Sequence, residues 1–217
     1  MMKIKPDNKK PAILLVMLEA AEGEEQELHD WYDFEHIPER AGLPGFITAK
    51  RFTCVDGWPR YLAIYDLRSI GVLEEAPYRA LSGDGFSPWS KRVLNRVRGQ
   101  YRASGDQIYP GTALTGEFCR MLLIRFGNVP ESSESKIVER ARSKFEGQPG
   151  IKQVRVVRNS EAKGAEYLVL VESVLPLPPT SLDVEAFGDM SPFINMINEY
   201  SPYWVRGHLP GVFAGTK

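Results

Sequence analysis

Short apolar runs alternate with amphipathic stretches along most of this chain. The first apolar run, Ala12 to Leu18, is too short for a signal-peptide core with acidic residues directly after it, so we interpret it as a β-strand at 12–19. A helical pattern follows at about 24–37, and Pro38 is expected to end that helix because proline removes a backbone donor. The chain therefore begins as strand and then helix.

The remaining pattern predicts the same order of elements twice. In the first half we expect strands at 46–54 and 60–67 joined at the hairpin signal Asp56-Gly57, a helical region at 70–97 and a strand at 99–108. In the second half we expect strands near 117–127, 151–158, 165–173 and 202–208, with helices near 132–146 and 182–199. Each half reads β-α-β-β-α-β, which is the order of the ferredoxin-like split motif.

Two pairs of segments support an internal repeat. The stretch 43–67 and the stretch 148–173 both run from Pro-Gly through a strand and a glycine-containing turn to a Tyr-Leu strand, and 87–111 matches 191–211. We predict an α+β fold of two tandem ferredoxin-like modules, 1–111 bearing the site and 112–217 acting as its partner. Since each antiparallel sheet needs a cover on its second face, the two sheets are expected to form an α+β barrel within one chain.

Composition narrows the function classes. The 217 residues are 43% hydrophobic with a net charge of -1, so the chain can bury a core and has no strong field of one sign for nucleic acid or an anionic membrane. No run approaches the length of a membrane span. The distant Cys54 and Cys119 are expected to be free thiols. We expect a cytoplasmic protein whose partner is a small-molecule substrate, and a homodimer remains open.

The first predicted helix combines an apolar stripe with groups that can move protons. Leu28, Trp31, Tyr32 and Glu35 are spaced i, i+3, i+4 and i+7, and His36 lies at the edge of that stripe. A half-buried carboxylate beside an imidazole is suited to acid/base chemistry, because histidine titrates near neutrality and a carboxylate can orient it. Glu35 and His36 are therefore the candidate catalytic pair.

Other residues of the same region are candidates for holding a substrate. Trp31 and Tyr32 would form pocket walls, and His29, one helical repeat before His36, would lie nearer the rim. Arg51 could hold an anionic group, although a solvated strand charge is the commoner role. A structural interpretation also stays open, in which Glu35 pairs with an arginine, Arg40 or Arg51, and His36 caps backbone carbonyls.

The repeat itself provides a control for this interpretation. The matching helix of the second half presents Ile137, Val138, Ala141 and Phe145, with neither histidine nor tryptophan. A module of this kind thus folds without the polar and aromatic set, which favours a function for that set. We predict the chief pocket between the first helix and the sheet of the first half, with no equivalent polar cavity in the second.

Two motifs resemble a known family. The segments "WYDFEHIP" (31–38) and "PGFITAKRF" (44–52), within tandem modules, resemble the dimeric α+β barrel superfamily and most closely its EthD-like branch. The resemblance covers about 12–110 and implies a pocket between helix and sheet into which the histidine of "EH", His36, is placed. It also implies an enzyme that needs no metal or bound cofactor.

The remaining candidates are weaker. His208 is expected at a strand end, and Trp58, Tyr61, Trp89, Tyr203 and Trp204 are expected in the core or barrel lining. His29, Asp33 and His36 could touch one metal, but no second segment supplies ligands. Haem-using members of the superfamily carry an axial histidine on the second helix, and 76–97 has none.

These observations lead to two functional hypotheses. The first is a cofactor-independent acid/base enzyme, of the isomerase, lyase or oxygenase type, acting on a small apolar or aromatic carbonyl or lactone metabolite. The second is a non-catalytic small-molecule-binding or interaction protein that uses the same pocket. Turnover, and its dependence on His36, would separate them.

Overall fold

A computed structural model describes residues 10–203 and shows an α+β fold built on a closed barrel of eight antiparallel strands. The strands are β1 Ala12–Glu19, β2 Lys50–Asp56, β3 Tyr61–Leu67, β4 Arg98–Tyr109, β5 Arg120–Val129, β6 Ile151–Arg158, β7 Ala165–Ser173 and β8 Ile194–Pro202. Around the barrel their order is β1-β3-β2-β8-β5-β7-β6-β4. The α+β class and the barrel within one chain are confirmed.

Each half of the chain contributes four adjacent strands to the barrel. In both halves the order is fourth, first, third and second strand, and the halves join through the β2–β8 and β4–β6 pairs. Strand β1 is almost entirely apolar because one face lies inside the barrel and the other lies under helices. The barrel interior is a packed core whose members include Leu15, Phe52, Leu123 and Tyr200.

The helices lie outside the barrel. The first half has α1 Glu25–Trp31, a π-helical turn Tyr32–His36, α2 Ile37–Ala41, α3 Ala76–Arg79 and α4 Pro88–Leu94, with 3-10 turns at Ile70–Glu74 and Gly83–Gly85. The second half has α5 Glu134–Phe145, with 3-10 segments at Glu131–Ser133, Pro179–Leu182 and Glu185–Phe193. Among residues 10–203, no helix is long and apolar enough to cross a membrane.

The end of the second half was predicted wrongly. In place of a helix at 182–199, the chain forms 3-10 turns and then β8 from Ile194 to Pro202. Most of the strand predicted at 202–208 lies outside the described residues, which end at 203. Gly188, with φ of 56°, and Pro192 interrupt the helix, and β8 hydrogen-bonds to strands on both sides to close the barrel. Tertiary pairing outweighs local helix preference here. The predicted 70–97 helix is likewise divided into short segments, among them α3 and α4, each of which has a proline in its first turn.

Candidate active site between the first helix and the sheet

The first helical region has a wide turn in its middle. The N–H of Ile37 bonds to the carbonyl of Tyr32, five residues earlier, which defines the π turn. The helix then continues as α2, so the expectation that Pro38 ends it is wrong. Pro38 lies in the first turn of α2, where a missing N–H is tolerated, and the π turn precedes it. Single π turns of this kind are frequent at functional sites.

The π turn changes which side chains face the sheet. Because it holds an extra residue, the positions after it are rotated about the axis relative to an α-helical wheel. Glu35 turns toward α4, where its Oε1 accepts hydrogen bonds from the hydroxyls of Ser87 at 2.6 Å and Ser90 at 2.9 Å. Trp31 Nε1 donates to the same Ser90 hydroxyl at 3.0 Å. Glu35 therefore links the first helical region to the α4 region through hydrogen bonds. Its Oε1 is bonded to serine hydroxyls and not to His36, which differs from the hydrogen-bonded Glu35–His36 pair that the sequence predicted.

His36 instead lines a small cavity between the first helical region and the outer face of the first-half sheet. The cavity measures about 70 Å³. Its walls come from β1, the first helical region, β3, the segment around α3, α4 and β4, namely Leu14, Val16, Leu18, Trp31, Tyr32, His36, Arg40, Tyr65, Tyr78, Phe86, Leu94, Gln100 and Arg102. Trp31 stacks on His36 with ring centroids 4.3 Å apart, and Tyr32 meets it edge-on at 5.6 Å. The predicted wall residues and the predicted base thus share one site.

Three polar atoms at this cavity are buried without a hydrogen-bond partner among the described residues. They are Nδ1 of His36, Nη1 of Arg40 and the hydroxyl of Tyr65. Buried polar groups in native proteins are nearly always paired, and each unpaired one costs about 1–3 kcal/mol. Three such atoms around one aromatic-walled cavity make this cavity the candidate site for a small molecule with polar groups.

Burial and neighbouring charges set the protonation of these groups. Burial lowers the pKa of His36 well below its usual value, and the positive charges of Arg40 and then Arg51 lower it further. His36 is therefore neutral near pH 7 and has a lone pair with which to accept a proton. Burial likewise raises the pKa of Tyr65 well above its ordinary range, which keeps its hydroxyl as a donor.

His29 and Arg51, both predicted to bind substrate, belong to a separate cluster. Arg51 Nη1 pairs with Asp33 at 2.5 Å and its Nη2 lies 2.9 Å from Nδ1 of His29. The guanidinium lies between the rings of Tyr32 at 4.3 Å and Tyr203 at 4.0 Å. Neither His29 nor Arg51 lines the cavity. Arg51 is therefore satisfied by protein groups, and it is a buried residue paired with Asp33 rather than the solvated strand charge or the partner of Glu35 that the structural alternatives described.

The predicted pocket is not the largest cavity. A cleft of about 530 Å³ opens at one end of the barrel, lined by Glu19, Cys54, Gly57, Trp58, Arg60 and Arg98. There Arg60 pairs with Glu19 at 3.1 Å, and Trp58 is 56% exposed rather than part of the barrel lining. Both cysteines are free thiols, as predicted. Trp204 and His208 lie outside the described residues.

The second half is filled by apolar packing where the first half has its polar set. Ile137, Ala141 and Phe145 of α5 are buried against the sheet, as predicted, and Phe187 packs on Phe126 and Phe145 with centroids 5.2 and 6.3 Å apart. A cavity of about 440 Å³ occurs beyond the end of α5, where Lys144 is its only acidic or basic side chain. The prediction that the chief pocket lies between the first helix and the sheet is thus wrong in volume, while the predicted absence of an equivalent polar cavity in the second half stays a prediction. Within 10–203 the histidine-lined cavity lies in the first half.

Sequence reasoning missed most residues that line the site, and four of them carry its polar and aromatic character. Arg40 was considered only as a partner for Glu35, and Tyr65, Tyr78 and Phe86 were not considered at all. One signal was present, because Tyr32, His36 and Arg40 are spaced four residues apart and such residues share a helix face. The other three come from distant segments that only the folded chain brings together.

The side chains around the cavity differ from those that usually hold a metal ion or a haem. Within residues 10–203, no three histidine, cysteine or acidic side chains are grouped closely enough to hold a metal ion. The 70–97 segment carries no histidine, and a cavity of about 70 Å³ is far smaller than a porphyrin. The residues present therefore do not fit a haem at this site.

Solved structures resemble the whole barrel. The chain is similar to an anthrone oxidase-like protein (TM-score 0.62, 14% identity, 93% of this chain and 94% of that chain covered). It is also similar to a candidate chlorite dismutase (0.60, 11%, 90% and 96%) and to a candidate monooxygenase of Lactobacillus acidophilus (0.54, 12%, 90% and 94%). At these identities the likeness establishes the fold alone. No protein-family model matches the chain, and no curated protein matches its sequence.

Proposed function

We propose that this protein is a cofactor-independent acid/base enzyme acting on a small apolar or aromatic carbonyl or lactone metabolite. The observation that carries the proposal is the group of three unpartnered polar atoms, on His36, Arg40 and Tyr65, around an aromatic-walled cavity. A pocket of this kind, mostly apolar with a few convergent polar groups and perturbed pKa values, is the usual form of a small-molecule site. Two of the similar solved structures are described as an anthrone oxidase-like protein and a candidate monooxygenase, which agrees with an enzyme acting on a small molecule.

The proposed step is removal of a proton from a carbon next to a carbonyl. His36 Nδ1 accepts the proton, so the C–H bond breaks, an N–H bond forms, and the electron pair moves to the carbonyl oxygen as an enolate. Return of the proton to another carbon completes an isomerisation, and expulsion of a leaving group completes a lyase reaction. Oxygenation of the carbanion would require dioxygen as the oxidant. Glu35 acts on the position of α4 rather than on the proton.

We also propose that the barrel consists of two tandem ferredoxin-like modules, 1–111 and 112–217, of the EthD-like branch. The repeated strand order in the two halves supports the modules. The placement of His36 at a cavity between helix and sheet supports the branch, because the resemblance implies a histidine in that place. In this arrangement the first module works on the metabolite and the second closes the barrel.

Exchange of carbon-bound protons in deuterated water tests the enzyme directly. A panel of aryl ketones, 1,3-dicarbonyl compounds and aromatic lactones would be followed by NMR with wild type, His36→Gln and His29→Gln. We expect wild type to accelerate exchange for at least one compound, and His36→Gln to lose about 10²–10⁴-fold of that rate. His29→Gln is the matched control, since it changes the same residue type on the same helix outside the cavity.

Two results would contradict the proposal. Equal losses in the two variants would assign the effect to the helix rather than to His36. A compound that binds and is recovered without exchange, with His36→Gln altering only its affinity, would favour the alternative of a non-catalytic binding protein. An unchanged unfolding midpoint in both variants is the check that the fold is retained.

A further inference from the structure

Arg40 is the unusual charge in the cavity. It is 2% exposed, its Nη2 donates to the carbonyl of Leu81 at 2.6 Å, and its guanidinium lies over the ring of Tyr78 at 5.0 Å. Its Nη1 has no hydrogen-bond partner within the described part of the chain. Among residues 10–203, no carboxylate lies within ion-pair distance of it. Burying a charge without a counter-ion is unfavourable by several kcal/mol, so this arrangement calls for an anion.

The nearby charged groups are engaged elsewhere. Arg51 is paired with Asp33, and Arg102 is paired with Glu161. Glu35 accepts from two serine hydroxyls of the α4 region. Arg40 interacts electrostatically with the Glu39 carboxylate but forms no ion pair with it. Among residues 10–203 the cavity therefore contains one positive charge without an ion-pair partner, that of Arg40, beside a neutral imidazole and a phenol hydroxyl.

We propose that Arg40 holds a single anionic oxygen of the substrate, and that the site takes an enolate or phenolate oxygen in preference to a carboxylate. The proposal rests on the proposed function, because the oxygen it holds is the one on which the charge develops when His36 removes the proton. Arginine grips a carboxylate best through two parallel N–H bonds from two nitrogens. Here one N–H of Nη2 is bonded to the carbonyl of Leu81, and Nη1 is the nitrogen that has no partner among residues 10–203, so Nη1 is the donor assigned to the single oxygen.

Tyr65 supplies the second donor to that oxygen. Its hydroxyl is buried, unpartnered and on the wall of the same cavity, and its ring lies 6.4 Å from that of His36. A neutral phenol and a guanidinium can both donate to an oxyanion, and donors fixed in a water-poor site stabilise developing charge strongly. The set thus separates roles, with His36 accepting the proton and Arg40 and Tyr65 holding the oxygen.

The cavity is too small to hold an aromatic ring unless part of its wall moves. At about 70 Å³ it is roughly half of the 150 Å³ cavity that accepts benzene. A ligand with one aromatic ring therefore requires the wall around Tyr78 and Phe86 to move outward. That wall belongs to the segment of short helices from 70 to 94, in which Phe86 is only half-buried.

Ionisation of a bound phenol tests Arg40 without any turnover. The probes are 4-nitrophenol, whose anion absorbs visible light, neutral nitrobenzene and benzoate. Each would be titrated against pH with wild type, Arg40→Met, His36→Gln and Arg102→Met, the last being the matched control for a cavity arginine that already has a carboxylate. We expect binding to wild type to lower the pKa of 4-nitrophenol by at least about one unit, a tenfold shift in its ionisation constant.

That shift is expected to persist in His36→Gln and Arg102→Met and to vanish in Arg40→Met. Benzoate is expected to bind at least about tenfold more weakly than 4-nitrophenolate, and nitrobenzene is expected to be insensitive to Arg40→Met. A shift that survives Arg40→Met, equal binding of benzoate, or failure of wild type to bind 4-nitrophenol would overturn the assignment. If wild type shows the Arg40-dependent shift but does not accelerate proton exchange, only the proposed enzymatic function is overturned.

Discussion

Two regions of this protein bury an arginine, and they treat its charge in opposite ways. Inside the barrel Arg155 is fully buried and contacts Asp66 at 2.8 Å, Glu172 at 3.2 Å and the hydroxyl of Thr115 at 2.8 Å. In the cavity, Nη2 of Arg40 donates to the carbonyl of Leu81, and its Nη1 has no partner among residues 10–203. The fold thus pairs the buried arginine inside the barrel with carboxylates, whereas it pairs Arg40 with none in the described part of the chain, at the site where we propose that a ligand binds.

The barrel cluster is a fixed network that joins the two halves. Asp66 lies on β3 of the first half, whereas Arg155 and Glu172 lie on β6 and β7 of the second. Burial raises the pKa of Glu172, and the adjacent Arg155 acts in the opposite direction. The cavity cluster of His36, Arg40 and Tyr65, by contrast, lies within the first half. Each of these residues has a buried polar atom without a partner among residues 10–203, and we propose that a ligand pairs with them.

The largest effect is expected from breaking the barrel network. Arg155→Met should lower the free energy of unfolding by about 3–5 kcal/mol, because it leaves two buried carboxylates without their counter-ion. Urea unfolding followed by circular dichroism measures this. Lys136→Met is the control, since it removes an exposed pair with Asp189 and should change stability by less than about 1 kcal/mol. Equal effects of the two would show that the network is not special.

A smaller loss is expected from Glu35→Ala. Its carboxylate accepts two hydroxyl bonds, and bonds to a charged group contribute about 1.5–3 kcal/mol, so we expect a loss of about 2 kcal/mol in the same unfolding measurement. Glu24→Ala, which removes an exposed pair with Arg96, should have little effect. If Glu35→Ala unfolds like wild type yet abolishes proton exchange, Glu35 belongs to the cavity chemistry after all.

The third prediction concerns acid. Because folding lowers the pKa of His36, the unfolded chain binds its proton more readily, and stability falls as pH drops below the unfolded value of about 6.5. One such group changes the free energy of unfolding by at most about 1.4 kcal/mol per pH unit. His36→Gln should therefore flatten the stability curve below that pH. Parallel curves for wild type and variant would mean that His36 is protonated in the folded state.

The smallest effect on stability is expected from Arg40→Met. The variant loses the bond to Leu81 and the contact with Tyr78 but also removes an uncompensated buried charge, so we expect stability within about 1 kcal/mol of wild type. Its contrast with Arg155→Met in the same unfolding series is the direct measure of the difference between the two regions. A loss as large as that of Arg155→Met would mean that Arg40 has an anionic partner within the protein.

The sequence by itself determined the periodic features of this protein. Apolar strands buried on both faces, such as β1 and β7, were predicted near their observed bounds because continuous apolar runs fit few other structures. The predicted internal repeat led to the expectation of an α+β barrel. The first helix carries His36 whereas the matching helix of the second half carries apolar residues such as Ile137, and this difference placed the expected site in the first half. Trp31, Tyr32 and His36 were predicted to share one pocket, and they do line one cavity, while their roles there stay predictions.

Only the tertiary structure decided the orientation of Glu35 and the roles of Arg40 and Tyr65. A helical wheel assumes a constant turn, so the π turn Tyr32–His36 changed the direction of the Glu35 side chain relative to the predicted stripe, and the sequence carried no readable signal of this turn. Arg51 forms an ion pair with Asp33, whereas Arg40 forms none with any carboxylate of residues 10–203. Ion pairing between distant segments cannot be predicted from the composition of those segments. Strand β8 also replaced a predicted helix, since barrel closure outweighs local preference when both neighbouring strands offer hydrogen bonds.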